Sequence, residues 1–216
     1  MSAIDEIISL LNKQNIKGCK GSVRFDLAGV SFPVLSKDIM GSVLQEWFEN
    51  WMFQNDICFS KPLNTQEPPD FYLSDGSHLE VKAFNFTANP GFDLANFDAY
   101  TRSLLVHPDR LDANHLVFSY ALEGEFIRVV DFWVKKIWEM AGKSSKNVLS
   151  LQVKQNVPVN IRPKDWRTRD ASFGHRRQFV EALDAALKKF YPERYSGDDW
   201  LKRVATGYQE KTGIPL

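Results

Sequence analysis

Three residues in this chain have the types and spacing to work on a phosphorus centre: Asp70, Glu80 and Lys82. Glu80 and Lys82 are two apart, so in a strand they share a face while Leu79 and Val81 point the other way. Asp70 follows Pro68 and Pro69, which favour extended chain and can bring a second carboxylate to the same edge. Hard carboxylate oxygens suit Mg²⁺, which takes one or two carboxylates, keeps several waters and leaves positions for a substrate phosphate. Such an ion lowers the pKa of bound water and neutralises charge developing at phosphorus. Lys82 beside it can orient or deprotonate the attacking water, or stabilise the pentacovalent state. These are the parts of a metal-dependent phosphodiesterase. From the alternation alone, Glu80 and Lys82 equally fit an ordinary ion pair on a solvated strand face.

The element that must position them is a β-hairpin. Phe71 and Leu73 alternate with polar neighbours, Ser74-Asp75-Gly76-Ser77 supplies the turn, and Leu79, Val81 and Ala83 alternate again. Ahead of it, Ser36 or Asp38 is expected to cap a helix carrying Met40, Val43, Leu44, Trp47, Phe48 and Trp51 on one stripe. At about 100° per residue, Glu46 falls near the border of that stripe and Glu49 almost opposite it.

Asp70, then Glu80-Val81-Lys82 ten positions on, resembles the PD-(D/E)xK nuclease motif, the signature of most type II restriction endonucleases. The stretches 79–85, 91–100, 130–138, 152–154 and 160–163 resemble the NgoBV-type restriction endonucleases. The likeness runs from about Ser42 to about Phe190, with no motif residue replaced. It implies a restriction-endonuclease-like α/β core, a mixed central β-sheet flanked by helices. It further implies Mg²⁺ (Mn²⁺ able to substitute) held by Asp70 and Glu80 with Glu46 assisting, and a water positioned by Lys82. The products would carry 5′-phosphate and 3′-hydroxyl ends. The substrate would be double-stranded DNA at GGNNCC, and a cognate DNA methyltransferase would be the functional partner.

The formal net charge is zero, with 27 basic and 27 acidic side chains. Residues 1–100 hold 7 basic and 13 acidic, −6, and residues 101–216 hold 20 and 14, +6. A neutral chain can still present a basic groove to DNA if its acids serve a metal or lie on the outer surface. Residues 135–154 contain five lysines, Lys154 among them, against one acid. Residues 162–177 carry Arg162, Lys164, Arg167, Arg169, His175, Arg176 and Arg177 with Trp166 and Gly174 between them. Arginine forks can read guanine in the major groove while other cations meet phosphates; a solvated basic loop has the same composition.

The two cysteines, Cys19 and Cys58, form no disulfide framework or zinc spacing. No apolar run is long enough to cross a bilayer, and acids stand where a signal peptide would be basic, so a cytoplasmic protein is expected. Helices are expected over 3–13, 92–105, 134–140, 178–190 and 198–211, and strands near 56–60, 115–122 and 126–132, with a peripheral hairpin over 21–35. We expect one domain over 1–216: a peripheral helix and hairpin to 35, a catalytic core over 36–140, and a basic DNA-contacting segment with C-terminal helices over 141–216. One site cuts one strand, so a homodimer is expected on duplex DNA. The alternatives are a repair or recombination nuclease without strict specificity, a non-catalytic DNA-binding module, and a phosphohydrolase acting on other substrates.

Overall fold

The computed structural model describes residues 1–64, 68–88, 91–144, 147–164, 166–167 and 171–216. Their contacts form two compact units, each built from separate stretches of chain: 1–91 with 114–135, and 92–113 with 136–216.

The first unit is built on a six-stranded sheet. Its strands are β1 (Lys20–Gly21), β4 (Phe59–Ser60), β5 (Phe71–Leu73), β6 (His78–Asn85), β8 (Asn114–Glu123) and β9 (Phe126–Lys136), in spatial order β1-β9-β8-β6-β5-β4. The sheet is mixed. β6 and β8 run parallel over seven residue pairs, from Leu79 opposite Asn114 to Asn85 opposite Tyr120. β4, β5 and β6 are antiparallel. Only Gly124 and Glu125 separate β8 from β9, a link short enough only for antiparallel neighbours. As its continuous apolar run predicts, β8 is buried from Asn114 to Ala121. β2 (Arg24–Leu27) and β3 (Val30–Pro33) form a separate two-stranded hairpin with Ala28 and Gly29 at its tip, both at positive φ.

Two helices complete this unit. In α1 (Ala3–Lys13), Ser2 and Asp5 form a reciprocal capping box, and Ile7 and Leu11 are buried. α2 (Met40–Gln54) buries Met40, Leu44, Phe48, Trp51 and Met52. These side chains share one core with Phe71, Leu73, Leu79, Val81, Leu116 and Phe118 from the sheet. Phe48 is its hub, contacting Trp51, Phe71 and Phe118 ring to ring with centroids 5.6, 6.3 and 5.9 Å away. Truncating such a ring to Ala costs about 3–5 kcal/mol.

The second unit holds a three-stranded sheet ordered β10 (Leu151–Lys154), β11 (Val157–Ile161), β7 (Ala95–Asn96). Its helices are α3 (Phe97–Ser103), α4 (Ile137–Met140), α5 (Arg176–Phe190), α6 (Pro192–Tyr195) and α7 (Trp200–Thr212), with a 3₁₀ turn over Pro108–Asp112. α5 buries Phe179, Leu183, Ala186 and Leu187, and α7 buries Trp200, Val204 and Tyr208, as their helical spacing predicts.

Three expected elements differ. α2 starts at Met40 rather than behind a Ser36 or Asp38 cap: a turn covers 37–39, and Ile39 occupies the cap position with no side-chain bond. The expected helix over 92–105 begins only at Phe97, because Asn96 is extended and its side chain caps the Ala99 amide. Leu94 meanwhile donates its amide to the Ile161 carbonyl, ahead of the β7–β11 pairing. The expected helix over 134–140 shrinks to its last four residues. β9 runs through Lys136, whose amide is taken by the Glu139 carboxylate at 2.5 Å. Among the described residues no helix is long and apolar enough to cross a membrane.

Candidate active site

The hairpin β5–β6 forms as its sequence dictates. Gly76 at φ +79° closes the turn, a conformation that favours glycine. The Asp75 carboxylate accepts the Ser77 amide at 3.0 Å, and Gly76 donates its amide to the Leu73 carbonyl at 2.9 Å. The other carboxylate oxygen of Asp75 accepts the Ala3 amide, tying the turn to the start of α1. Hydrogen bonds from Ser77 and from the Ala3 amide hold the Asp75 carboxyl below its ordinary range.

Along β6 the expected alternation appears: Leu79 and Val81 enter the core, while Glu80 and Lys82 are half-buried on the other face. The Lys82 ammonium lies 3.2 Å from Glu80 Oε2, and the side chains retain 24% and 13% of their exposure. This is not the solvated surface pair that the sequence also allowed. Asp70 reaches the same strand by a different route, its Oδ2 accepting the Val81 amide at 2.7 Å. Residues 68–70 carry it there through a Pro68–Pro69 cis peptide.

Electrostatics makes the cluster a site that calls for a cation. Burial pushes the Asp70 carboxyl above its usual range, and the neighbouring Glu80 charge pushes it further. Lys82, the Val81 amide and a hydrogen bond from Gln45 oppose that rise. Two carboxylates beside one ammonium leave an excess of negative charge in a partly desolvated place, where a divalent ion is favoured.

Glu46 is not part of this set. It is exposed on α2, and among the described residues no group of three or more His, Cys, Asp or Glu side chains is gathered to hold a metal. Glu49 is turned to Lys61, 2.7 Å away. The residue of α2 that reaches Asp70 is Gln45, half-buried beside Leu44. One position along a helix is about 100° of rotation, enough to exchange Glu46 for Gln45. The sequence offers a weak signal, since Gln45 directly follows the apolar Leu44, whereas the resemblance implies an acid from this helix and Glu46 lies nearer the stripe border than Glu49. On the neighbouring strand β8, His115 is buried and in register with Glu80. Asp70 and Glu80 therefore present two hard oxygen ligands, which fits Mg²⁺ when waters and a substrate phosphate complete its shell.

The basic residues expected to meet DNA lie in the second unit and fall into two groups. Lys154, Lys164, Arg167, His175 and Arg177 are exposed. Arg162 and Arg176 are half-buried and committed. Arg162 pairs with Asp93 at 2.9 Å. Arg176 pairs with Asp112 at 2.8 Å and lies over the Tyr208 ring, 4.9 Å from its centroid. Tyr208 donates its hydroxyl to the same Asp112, and burial together with that bond raises its phenol to about 12. His175 caps α5 by accepting the Arg177 amide at 3.3 Å, and Arg177 pairs with Glu181 one turn on. Arg169 and Lys146 lie outside the described residues.

The chain as a whole is similar to known proteins. The family model for the NgoBV restriction endonuclease matches residues 1–216. A type II restriction enzyme of Neisseria lactamica, NlaIV, is 33% identical over 210 residues, 93% of this chain and 86% of that protein. NgoBV of Neisseria gonorrhoeae, also a type II restriction enzyme, is 37% identical over 137 residues, 61% of this chain and 77% of its own. The solved structure of an NlaIV restriction endonuclease superposes with a TM-score of 0.89 at 31% identity, covering all of this chain and 92% of that one. That likeness bears out the restriction-endonuclease-like α/β fold with its mixed sheet. With the whole sequence matched by the family model and a relative similar along nearly all of it, the chain belongs to the NgoBV restriction endonuclease family.

Proposed function

We propose that this restriction endonuclease hydrolyses phosphodiester bonds of duplex DNA at a short palindromic site, GGNNCC, using Mg²⁺ bound to Asp70 and Glu80, with Mn²⁺ able to substitute. The reading rests on one observation: two carboxylates and an ammonium converge on β6, half-buried, with the Asp70 carboxyl pushed up by burial and then by Glu80. The metal, when bound, supplies Lewis acidity and a more acidic water. The chain's own groups do the rest. The Val81 amide and Gln45 fix the Asp70 carboxylate. Lys82 holds Glu80, and its ammonium, with three donors, can orient the attacking water towards phosphorus as well. In-line attack leaves 5′-phosphate and 3′-hydroxyl ends.

The exposed Lys154, Lys164, Arg167, His175 and Arg177, with Arg169, supply phosphate and base contacts. Cutting both strands of a palindrome calls for a homodimer, and host DNA for a methyltransferase protecting the same site, in the cytoplasm. GGNNCC rests on the family resemblance.

Digesting a plasmid of known sequence with Mg²⁺ and with EDTA tests this. Discrete, metal-dependent fragments whose ends map to GGNNCC are expected. Discrete fragments ending elsewhere would overturn the site alone. A smear would point to a nuclease without sequence preference, and DNA binding without cutting to a binding module.

A further inference from the structure

In the second unit a single carboxylate, Asp93, holds two side chains of one strand in a fixed order. Its Oδ1 accepts from Arg162 Nε at 2.9 Å and its Oδ2 from Asn160 Nδ2 at 2.8 Å. Asn160 and Arg162 are two apart and so share a face; Arg162 prolongs the ladder past the end of β11 by donating its amide to the Ser150 carbonyl. Asn160 Nδ2 also donates to Gln152 Oε1 at 3.0 Å, between residues that are partners in the β10–β11 register. The opposite face of these strands carries Ile161, which is fully buried, opposite Leu151 and Ala95. The polar network therefore lies on the face turned from the core.

Chemistry fixes which way each amide is turned. A carboxylate only accepts, so Asn160 must present its amine to Asp93; the second hydrogen of that amine goes to Gln152, which must present its carbonyl. Among the described residues nothing donates to Asn160 Oδ1 or accepts from Gln152 Nε2. Both side chains are half-buried, so part of each meets solvent. The face is thereby polarised, with an acceptor on Asn160 between a donor on Gln152 and the guanidinium of Arg162. Strand pairing does not require this network, because backbone bonds such as that from the Leu94 amide to the Ile161 carbonyl already join β11 to its neighbours.

We infer that Arg162, Asn160 and Gln152 read the major-groove edge of G·C pairs, with Asp93 as the positioning residue. A G·C pair presents there the N7 and O6 acceptors of guanine and the N4 amine of cytosine. A guanidinium fork meets the first two and the Asn160 carbonyl the third, while the Gln152 amine suits an acceptor of the adjacent guanine. The grip of Asp93 on Nε fixes the plane of the guanidinium, so less freedom is lost when it meets a base. The major groove admits a two-stranded ribbon, and β10–β11 is one, with the exposed Lys154 near its tip placed to meet phosphate. The inference rests on the sequence-specific reading above and names residues that carry it.

Binding is measured without cutting, in Ca²⁺, which takes hard oxygen ligands as Mg²⁺ does. From duplexes with a randomised core, the full chain is expected to enrich G·C pairs at twofold-related positions. Arg162→Lys keeps the charge but loses the fork, and is expected to lose the guanine at one such pair of positions. Gln152→Glu still accepts from Asn160 but turns a donor into an acceptor, and is expected to change the base enriched at a neighbouring position. In the enriched duplex, 7-deazaguanine at the position Arg162→Lys no longer selects removes N7 alone. Wild-type binding is expected to fall about 10-fold there, and Arg162→Lys binding no more than about 2-fold. Residues with only a structural part would lower the melting temperature and leave the enriched bases unchanged. Both variants selecting the wild-type sequences, or 7-deazaguanine weakening wild type and Arg162→Lys alike, would overturn the proposal. A wild type that enriches no sequence would overturn it together with the sequence-specific reading. Cleavage is not read, so failure of the cutting centre on β6 is a separate result.

Discussion

The β5–β6 hairpin and the basic stretch 162–177 are both rich in charge, and the chain uses the two differently. On β6 the charged groups are partners of one another: Glu80 and Lys82 sit 3.2 Å apart, and Asp70 bonds the backbone between them. In the basic stretch, charges close in sequence part company. Arg176 turns inward to Asp112, 64 residues away, while Arg177 beside it faces solvent and a glutamate one turn along α5. A strand spaces its side chains by a fixed two-residue rule, so composition and geometry coincide. At the start of α5 each residue turns about 100° from the one before, so neighbouring cations face different ways and a cation count gives no assignment of roles.

The largest effect that would break this comparison lies at Lys82. Lys82→Ala is expected to lower single-turnover cleavage by about 10²–10⁴-fold, with DNA affinity little changed. Mutating Arg177 to Ala would do the reverse, weakening binding across sequences and flattening its salt dependence. A Lys82 variant that cut normally would reduce the hairpin to a structural pair.

Arg176 sharpens the contrast through stability. Arg176→Ala removes a half-buried, charge-assisted bond to Asp112 and the stacking on Tyr208, and is expected to cost about 2 kcal/mol in urea unfolding. Arg177→Ala loses an exposed one-turn pair and is expected to cost no more than about 0.5 kcal/mol. Equal costs would mean that the two neighbours play the same part.

A smaller effect separates Gln45 from Glu46. Gln45→Ala frees the Asp70 carboxylate and is expected to reduce cleavage about 10-fold, the worth of one hydrogen bond to a charged group. Glu46→Ala, on an exposed side chain, is expected to stay within about 2-fold. The opposite ranking would restore Glu46 to the site.

The smallest effect is one of sign. Because the folded-state carboxyl of Asp70 is raised, by burial and then by Glu80, keeping it ionised costs stability once pH exceeds that raised value. The stabilising contribution of its protonated form is complete below the unfolded pKa and lost as pH rises through the folded one. Asp70→Asn is therefore expected to be more stable than wild type at neutral pH in EDTA, the gap closing in acid, while cleavage is lost. A variant less stable at neutral pH would contradict the electrostatic reading of the pair.

Much of the first unit was legible because its signals are periodic. The Asp75-Gly76 turn between alternating runs fixed the register of Phe71 opposite Leu79, and the unbroken run in β8 marked a strand covered on both faces. What escaped depended on partners distant in sequence or on single rotations. Nothing near Phe92 shows that Leu94 will bond Ile161, so the chain there read as helix until Asn96. β10 and β11 went unread, since their short strands stabilise each other only once Leu151 and Ile161 pair. The choice between Gln45 and Glu46 depends on how α2 is turned above the sheet, which is set by the packing of Phe48 rather than by either residue.

The most direct test of the central claim, that Asp70, Glu80 and Lys82 form the cutting centre, is one experiment on Glu80→Ala protein. Cleavage and binding of the same GGNNCC duplex would be measured side by side in Mg²⁺. We predict that cutting falls below detection while the duplex is still bound within a few-fold of wild type. Undiminished cutting by Glu80→Ala would contradict the account and move the chemistry off β6.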